Sequence, residues 1–369
     1  MKTFFICIAT LLAIGLCCYS EEEVYKVLTS AEGTEMKAWI RKVENDQVTF
    51  RRDDGKVFTI PLSKLSADDQ KELKKMQAAK PPAPVAEPKV NKRLYPRGLS
   101  EMKTACDHIR EVSRALKGFT EEERDAIAEL NIYRYLSGVP AEVPLDRSCC
   151  EVAVKASEGC AKIGELSHVV VPEGKSCNLH QGQANFAATV HGYMEDPGDN
   201  NRDVRGHRMW CLHPELPKSG FGCDATKQFF GMWVSNGGLA ASSKAKRRGR
   251  APEFHAYPGN GFYPASRLRG NGWSLYPGGA IQTGEVDLKV YELAARPAMP
   301  FTAATLPKDA KEVKIGFQKV TPGTGGGWAA GWVVFEPEVE KTPGKIYWVS
   351  LKAGSVRIGY VVEFTAGEF

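Results

Sequence analysis

No stretch of this sequence is continuously apolar for the roughly 20 residues that a membrane-spanning helix needs. Its net charge is small, +5 from 49 Lys and Arg against 44 Asp and Glu, so overall charge gives no support to a nucleic-acid binder. Three catalytic motifs are also missing, namely the GxSxG nucleophile elbow, the HExxH zinc motif and the GxxxxGK[ST] phosphate loop. No enzyme class can therefore be assigned from a short motif.

Cysteine is absent after Cys223. Of the ten cysteines, Cys7, Cys17 and Cys18 lie in the apolar first segment, which leaves seven between positions 106 and 223. In an oxidising compartment this clustering predicts up to three disulfides that stabilise one domain, with one thiol left over. The spacing leaves the connectivity open. The disulfide candidates are Cys106, Cys149, Cys150, Cys160, Cys211 and Cys223.

The first twenty residues are typical of an export signal. Lys2 is followed by an apolar stretch from Phe4 to Cys18 and then by small or polar residues. We expect residues 1–20 to be a signal peptide, and the mature protein to be secreted, periplasmic or held in the cell envelope. A lipoprotein is the alternative, with Cys17 or its neighbour Cys18 bearing the lipid.

Residues 23–76 alternate short strand patterns with turn signals, which predicts a small β-sheet or barrel. A helix is expected at the end of this range, after the strands, with Ser66 as its N-cap. The string AWIRKVENDQVTFRRDDGKVFTIPLSKLSADDQ resembles the first homology domain of the endocytic adaptor Sla, an SH3-like fold also found in exported bacterial proteins. The resemblance implies a role in protein interaction or spacing. Residues 77–98 then form a proline-rich linker.

Residues 99–240 are expected to form one domain, and helical signals dominate it from Leu99 to about Asp224. Thr120 opens a capping box before a periodic apolar stretch, and a second helix is expected after Asp146. Three segments carry a resemblance through their order and spacing: LNIYRYLSGVPAEVPLDRSCCEVAVKASEGCAKIGELSH, CNLHQG and ATVHGYMEDPGDNNRDVRGHRMWCLHPELPKSGFG. They resemble the CAP superfamily, which comprises cysteine-rich secretory proteins, antigen-five allergens and plant pathogenesis-related proteins. The resemblance implies an α/β/α sandwich.

Residues 251–369 are rich in Gly, aromatic and β-branched residues, and their alternating segments between Gly and Pro turns predict a β-sandwich. The basic run KAKRRGR at 244–250 precedes them, and two interpretations stay open for it: a dock for an anionic envelope polymer or lipid surface, and a solvated loop. The chain as a whole is expected to be α+β. It would place a central CAP-type α/β/α sandwich between an N-terminal SH3-like β-barrel and a C-terminal β-sandwich.

The CAP resemblance also implies a cleft in which two His and two acidic side chains converge. His168 and His207 match the two histidines. Cys177 stands where the family has its first Glu, and the second acid falls at Glu195 or the adjacent Asp196. The implied cleft residues are His168, Cys177, Asn178, Glu195 and His207.

Two imidazoles with a thiolate or a carboxylate suit zinc. His168, His207 and Cys177 are therefore candidate zinc ligands of an open site that activates water, and His168, His207 and Glu195 are candidate catalytic residues. The alternative is that Cys177 is in a disulfide and backbone groups satisfy both histidines. The other histidines, such as His180, lack paired spacing and are expected on the surface or in packing roles.

The sequence favours a binding or interaction protein outside the cytoplasm. CAP members are linked by the resemblance to lipid or sterol binding, extracellular signalling and, in some cases, proteolysis. The expected partner is an extracellular or envelope protein, a lipid or a polysaccharide, and no nucleic acid or membrane-spanning segment is expected. A zinc-dependent hydrolase is the alternative, and a mainly structural element of the envelope is a third hypothesis.

Overall fold

The structure is a computed structural model in which the chain divides into two compact units, Met1–Pro88 and Lys89–Phe369. The residues that it describes are 24–52, 56–78, 94–235, 253–278, 281, 286–297, 306–323, 331–367 and 369. The predicted signal peptide, most of the predicted linker and the basic run at 244–250 lie outside the described residues. The described elements are mixed α and β, as the sequence predicts.

The N-terminal unit is a four-stranded antiparallel meander followed by one helix. Its elements are β1 (Val24–Thr29), β2 (Glu35–Glu44), β3 (Gln47–Arg52), β4 (Val57–Pro61) and α1 (Ala67–Ala78). Ser66 caps α1 as predicted, because its Oγ accepts a hydrogen bond from the backbone N of Asp69 at 3.2 Å. The strand order is β1-β2-β3-β4, and the described residues form no closed barrel. The SH3-like barrel therefore stays a prediction.

The second unit begins with six helices and a small sheet in its described part. The helices are α2 (Leu99–Arg114), α3 (Glu121–Ser137), α4 (Arg147–Ile163), α5 (Phe186–Glu195), α6 (Asp199–Arg202) and α7 (Gly206–Cys211). The strands are β5 (Cys177–Gln181), β6 (Phe221–Cys223) and β7 (Phe229–Trp233), in the order β5-β7-β6. Thr120 caps α3 and Asp146 caps α4, and both caps confirm the prediction.

Helices cover both faces of this small sheet. Helix α4 packs so closely on one face that a Cβ on Gly222 would lie 2.2 Å from the backbone N of Val154. Glycine is therefore required at this crossing. Helix α5 lies on the other face, where the rings of Phe186 and Phe230 meet at 5.8 Å between centroids. Because successive strand residues point to opposite faces, neighbouring residues of β5 face different helices.

The rest of the unit consists of two larger sheets. Their strands are β8 (Phe254–Tyr257), β9 (Gly261–Pro264), β10 (Trp273–Pro277), β11 (Val286–Leu293), β12 (Lys311–Val313), β13 (Ile315–Pro322), β14 (Gly331–Pro337), β15 (Ile346–Ala353) and β16 (Val356–Thr365). The orders are β13-β14-β10-β8 and β12-β11-β15-β16-β9. The pairing is antiparallel except that β9 runs parallel to β16. The indole of Trp273 contacts Tyr347 and Phe364 of the second sheet, so the two sheets pack face to face.

The helical region and these sheets share one hydrophobic core. Arg208, which is fully buried, links them through its guanidinium. It donates to the carbonyl of Met194 at 2.5 Å, to the carbonyl of Gly272 at 2.9 Å and to the hydroxyl of Ser274 at 2.7 Å. Residues 94–235 and the sheets beyond 253 therefore belong to a single compact unit.

A buried polar cluster lies in the same region. Arg134 donates to the carbonyls of Cys211 at 2.7 Å and His213 at 2.9 Å. The Nδ1 of His213 accepts a hydrogen bond from the backbone N of Glu215, which requires that nitrogen to be unprotonated. Burial, aided by the positive charge of Arg134, lowers the pKa of His213 to about 4 and that of His255 to about 3. Both imidazoles are therefore neutral at pH 7.

Candidate functional site

An Asp–His pair joins the end of α5 to the start of α7. Asp196 ends α5 in the left-handed conformation, with φ of 48°, and its side chain is fully buried. One carboxylate oxygen lies 2.7 Å from Nδ1 of His207, and the other accepts the backbone N–H of the same residue at 2.9 Å. The helix end and the carboxylate thus fix the position of His207.

The carboxylate also orients the imidazole. Because Nδ1 of His207 donates to a carboxylate, its Nε2 is left as the acceptor of the neutral ring. The side chain is 21% exposed, so an outside group has access to the ring. A buried carboxylate behind an imidazole is the arrangement that fixes a general base or a metal-binding histidine.

Two further side chains contact His207, one at its ring and the other at its backbone carbonyl. The rings of Tyr193 and His207 lie 5.4 Å apart between centroids. Tyr193 donates its hydroxyl proton to the carbonyl of Asn178 at 2.9 Å, and the side-chain amide of Asn178 donates to the carbonyl of His207 at 2.9 Å. The predicted cleft residues Asn178 and His207 are therefore in contact through a direct hydrogen bond.

His180 belongs to the same cluster, although only a surface or packing role was expected for it from its lack of paired spacing. Its ring lies 5.9 Å from that of Tyr193, and its Nδ1 lies 2.9 Å from the carbonyl of Gln181. Burial lowers its pKa. A Cβ on Gly192 would approach its Nε2 to 2.9 Å, so the glycine leaves room for the ring. The strand alternation of β5, which places His180 on the same face as Asn178, is the sequence signal that could have found it.

The carboxylate of Glu195, a candidate catalytic base, already accepts hydrogen bonds from three donors. One oxygen accepts from the hydroxyl of Tyr257 at 3.0 Å and from the backbone N of Arg269 at 2.8 Å, and the other accepts from the backbone N of Gly270. These donors belong to the C-terminal half of the unit. Glu195 therefore connects α5 to that half, while the neighbouring Asp196 takes the place beside His207.

The structure does not gather His168, Cys177 and His207 into one ligand set. Cys177 alternates with Asn178 along β5 and so faces α4, the helix that carries Cys149 and Cys160. His168 is exposed, and its Nδ1 lies 2.7 Å from the carbonyl of Gly174. Within the described ranges, no group of three or more His, Cys, Asp or Glu side chains is placed to hold a metal ion.

The expected disulfides are absent from the described part of the chain. All seven described cysteines, which include the six disulfide candidates and Cys177, are free thiols. Six of them are buried, and burial raises the pKa of Cys149, Cys150 and Cys177 to about 12 each. The six buried thiols contribute to the core as small apolar side chains, and the disulfides expected from cysteine clustering are not present among the described residues.

Comparison of the chain with protein families, with curated proteins and with solved structures found no match. None of the helices in the described ranges has the length and apolar character that crossing a bilayer requires. The site therefore has to be interpreted from its own geometry. It offers one oriented imidazole, a second imidazole beside the same tyrosine, and a buried negative charge.

Proposed function

We propose that this chain is an exported binding protein that acts outside the cytoplasm or in the cell envelope. Its parts would be a Sla-type SH3-like module, a CAP-type α/β/α sandwich and a β-sandwich. The order of the quoted segments, the helices on both faces of the small sheet and the two packed C-terminal sheets support this assignment. In this proposal the cluster around His207 contributes to a ligand cleft.

One observation favours a binding function over catalysis: Glu195 and Cys177, two of the candidate site residues, have other partners or face away from His207. Glu195 accepts three hydrogen bonds from the C-terminal half of the unit, and Cys177 lies on the opposite face of β5 from Asn178. A hydrolase of this type needs a nucleophile or an activated water beside a base. Asp196 orients His207, but Glu195 and Cys177, the candidate base and the candidate thiol ligand, have other surroundings.

The test compares turnover with binding in one preparation of the full chain. Peptide and ester hydrolysis would be followed for wild type, His207→Ala and the control His108→Ala, each with and without a chelator. Retention on neutral, anionic and sterol-containing vesicles would be measured in parallel. We expect no turnover above the buffer rate in any sample, and retention that a chelator leaves unchanged. Turnover that scales with protein and disappears in His207→Ala, but persists in His108→Ala, would overturn the binding proposal.

A zinc-dependent hydrolase is the second candidate, with His168 and His207 and either Cys177 or Glu195. The Asp196 carboxylate behind the His207 imidazole favours it, because such a pair orients metal-binding histidines. Elemental analysis of wild type, His207→Ala and Cys177→Ser would decide between the two functions. One bound zinc lost in both variants would establish the second candidate, and a zinc content near zero in all three would leave the binding protein.

A further inference from the structure

Three Asn–Gly pairs occur in the sequence, and the structure describes two of them, Asn260–Gly261 and Asn271–Gly272. An asparagine followed by glycine can lose ammonia from its side chain. The next backbone nitrogen attacks the side-chain carbonyl carbon, and glycine has no side chain that would hinder its approach. The surroundings of each pair therefore decide which asparagine can react.

The pair at Asn260 is tied to the sheet. Gly261 begins β9 and lies opposite Val362 of β16. The side-chain oxygen of Asn260 accepts a hydrogen bond from the backbone N of Val361 at 3.2 Å. Because both members of the pair are attached to β16, the sheet has to open locally before they can react.

The pair at Asn271 lies in the loop before β10, where Asn271 is exposed. The fold requires the glycine that follows it. A Cβ on Gly272 would lie 2.8 Å from the central carbon of the Arg205 guanidinium, and the Gly272 carbonyl accepts a hydrogen bond from the buried Arg208 at 2.9 Å. Packing against two arginines thus places an unhindered backbone nitrogen directly after an exposed asparagine.

The ammonium of Lys341 contacts the side-chain carbonyl of Asn271. Its Nζ donates to Oδ1 of Asn271 at 3.1 Å, and also to the carbonyls of Arg269 at 3.0 Å and Gly270 at 3.1 Å. Three acceptors match the three N–H donors of a charged lysine. A cation at Oδ1 withdraws electrons from Cγ, and it stabilises the negative oxygen that forms when a nucleophile adds to that carbon.

Glu195 anchors the same loop. Its carboxylate accepts the backbone N–H of Arg269 at 2.8 Å and that of Gly270. Burial lowers the pKa of Lys341, and the charge of Glu195 limits this shift. An ammonium with a lowered pKa is a stronger hydrogen-bond donor to a developing negative oxygen. The contact between Lys341 and Oδ1 is therefore made on a loop whose preceding peptide groups are fixed.

We propose that Asn271 is a self-modification site, at which Lys341 promotes conversion of the asparagine to aspartate and isoaspartate. The backbone nitrogen of Gly272 attacks Cγ of Asn271 and forms a C–N bond. The bond from Cγ to the side-chain nitrogen breaks, and that nitrogen leaves as ammonia together with the proton of the attacking N–H. Water then adds to either carbonyl of the succinimide ring, which gives aspartate or isoaspartate.

The modification goes beyond the proposed binding function and does not depend on it. Isoaspartate would add a carbon to the backbone between Gly270, which Glu195 anchors, and Gly272, whose carbonyl Arg208 binds. The link between α5 and β10 would therefore change. Because the reaction consumes only water, its extent should increase with the age of the molecule.

The experiment incubates the full chain at neutral pH for wild type, Lys341→Met, Lys341→Arg and the control Lys352→Met, which removes an exposed lysine of β15. Peptide mass mapping would measure the fraction of amide converted to acid at positions 271 and 260 of the same sample, and an isoaspartyl methyltransferase would report isoaspartate. We expect Asn271 to convert well before Asn260. Lys341→Met should slow conversion about tenfold, Lys341→Arg by a smaller factor, and Lys352→Met should leave it unchanged.

The absence of conversion at Asn271 in wild type would overturn the proposal outright. Equal conversion at Asn260 and Asn271 would reduce the effect to the Asn–Gly pair alone. Unchanged or faster conversion in Lys341→Met would show that the lysine only holds or protects the loop. A branched peptide that joins residues 271 and 341 would mean that the lysine itself had attacked. Thermal unfolding of each variant verifies that it is folded.

Discussion

Acidification should destabilise the second unit through its buried histidines, and a single substitution should remove half of this effect. His213 and His255 are buried and neutral beside the cationic Arg134. Protonating either imidazole in the folded state would place a second positive charge in the same interior. In the unfolded chain the imidazoles are in water and can be protonated without this cost, so acid favours unfolding.

The size of the effect follows from the shift of each pKa. The folded values are about 4 for His213 and about 3 for His255, against an ordinary value of about 6.5 in the unfolded chain. The folded pKa is the lower one, so the unfolded state binds more protons between about pH 3 and 6.5, and stability falls as pH decreases through that window. From pH 7 to pH 4.5 each histidine removes roughly 2 to 3 kcal/mol, and the pair removes about 5 kcal/mol.

Denaturant unfolding of wild type, His255→Phe and the control His108→Phe at both pH values would measure this. Phenylalanine keeps a ring against Tyr276, on which His255 stacks at 4.6 Å. Buried carboxylates also lose stability in acid, but they do so equally in all three proteins. We expect the drop in stability to shrink by roughly 2 to 3 kcal/mol in His255→Phe alone. An undiminished drop in that variant would refute the reasoning.

Three further predictions concern the core, the site and the thiols. Gly222→Ala should destabilise the protein by several kcal/mol, because the new methyl group would overlap the backbone of α4. Gly316→Ala should have little effect, because the atom nearest to a Cβ there, a carboxylate oxygen of Glu338, lies 3.6 Å away. Urea unfolding of the two variants compares their losses of stability. Asp196→Asn should alter the tautomer of His207, visible in the nitrogen NMR shifts of the ring, and an unchanged Nδ1–H form would contradict the role of the carboxylate. In a chain that lacks residues 1–20, all seven cysteines between positions 106 and 223 should react with a thiol reagent after denaturation without reductant, and a count of one would restore the three disulfides.

Local signals gave the elements correctly because they act over a few residues. The capping box at Thr120 and the cap at Asp146 place the starts of α3 and α4. Alternation along the C-terminal half predicted strands that coincide with β11 and β14 to β16. The alternation from Val313 to Phe317 by itself indicates one strand, whereas the structure has two there, because β12 ends at Val313 and β13 begins at Ile315.

Long-range features could not be predicted in the same way. The role of Glu195 depends on donors at Tyr257, Arg269 and Gly270, more than sixty positions away in the sequence. No local pattern reports such a contact. The cysteines mislead for a related reason, since clustering along the sequence indicates disulfides only when pairs of side chains meet in bonding geometry, and the seven described cysteines are free.

The parallel pairing of β9 with β16 has a consequence for the order in which this unit can assemble. Gly261 lies opposite Val362 in that pair, so β9 leaves the ribosome long before its neighbour in the sheet exists. Until β16 has been synthesised, the backbone donors and acceptors of β9 have no strand with which to pair. Tyr95 likewise lacks the carboxylate of Glu363, to which its hydroxyl donates. The unit should therefore complete its fold late and as a whole, and nascent chains that stop before β16 should be substrates for proteases.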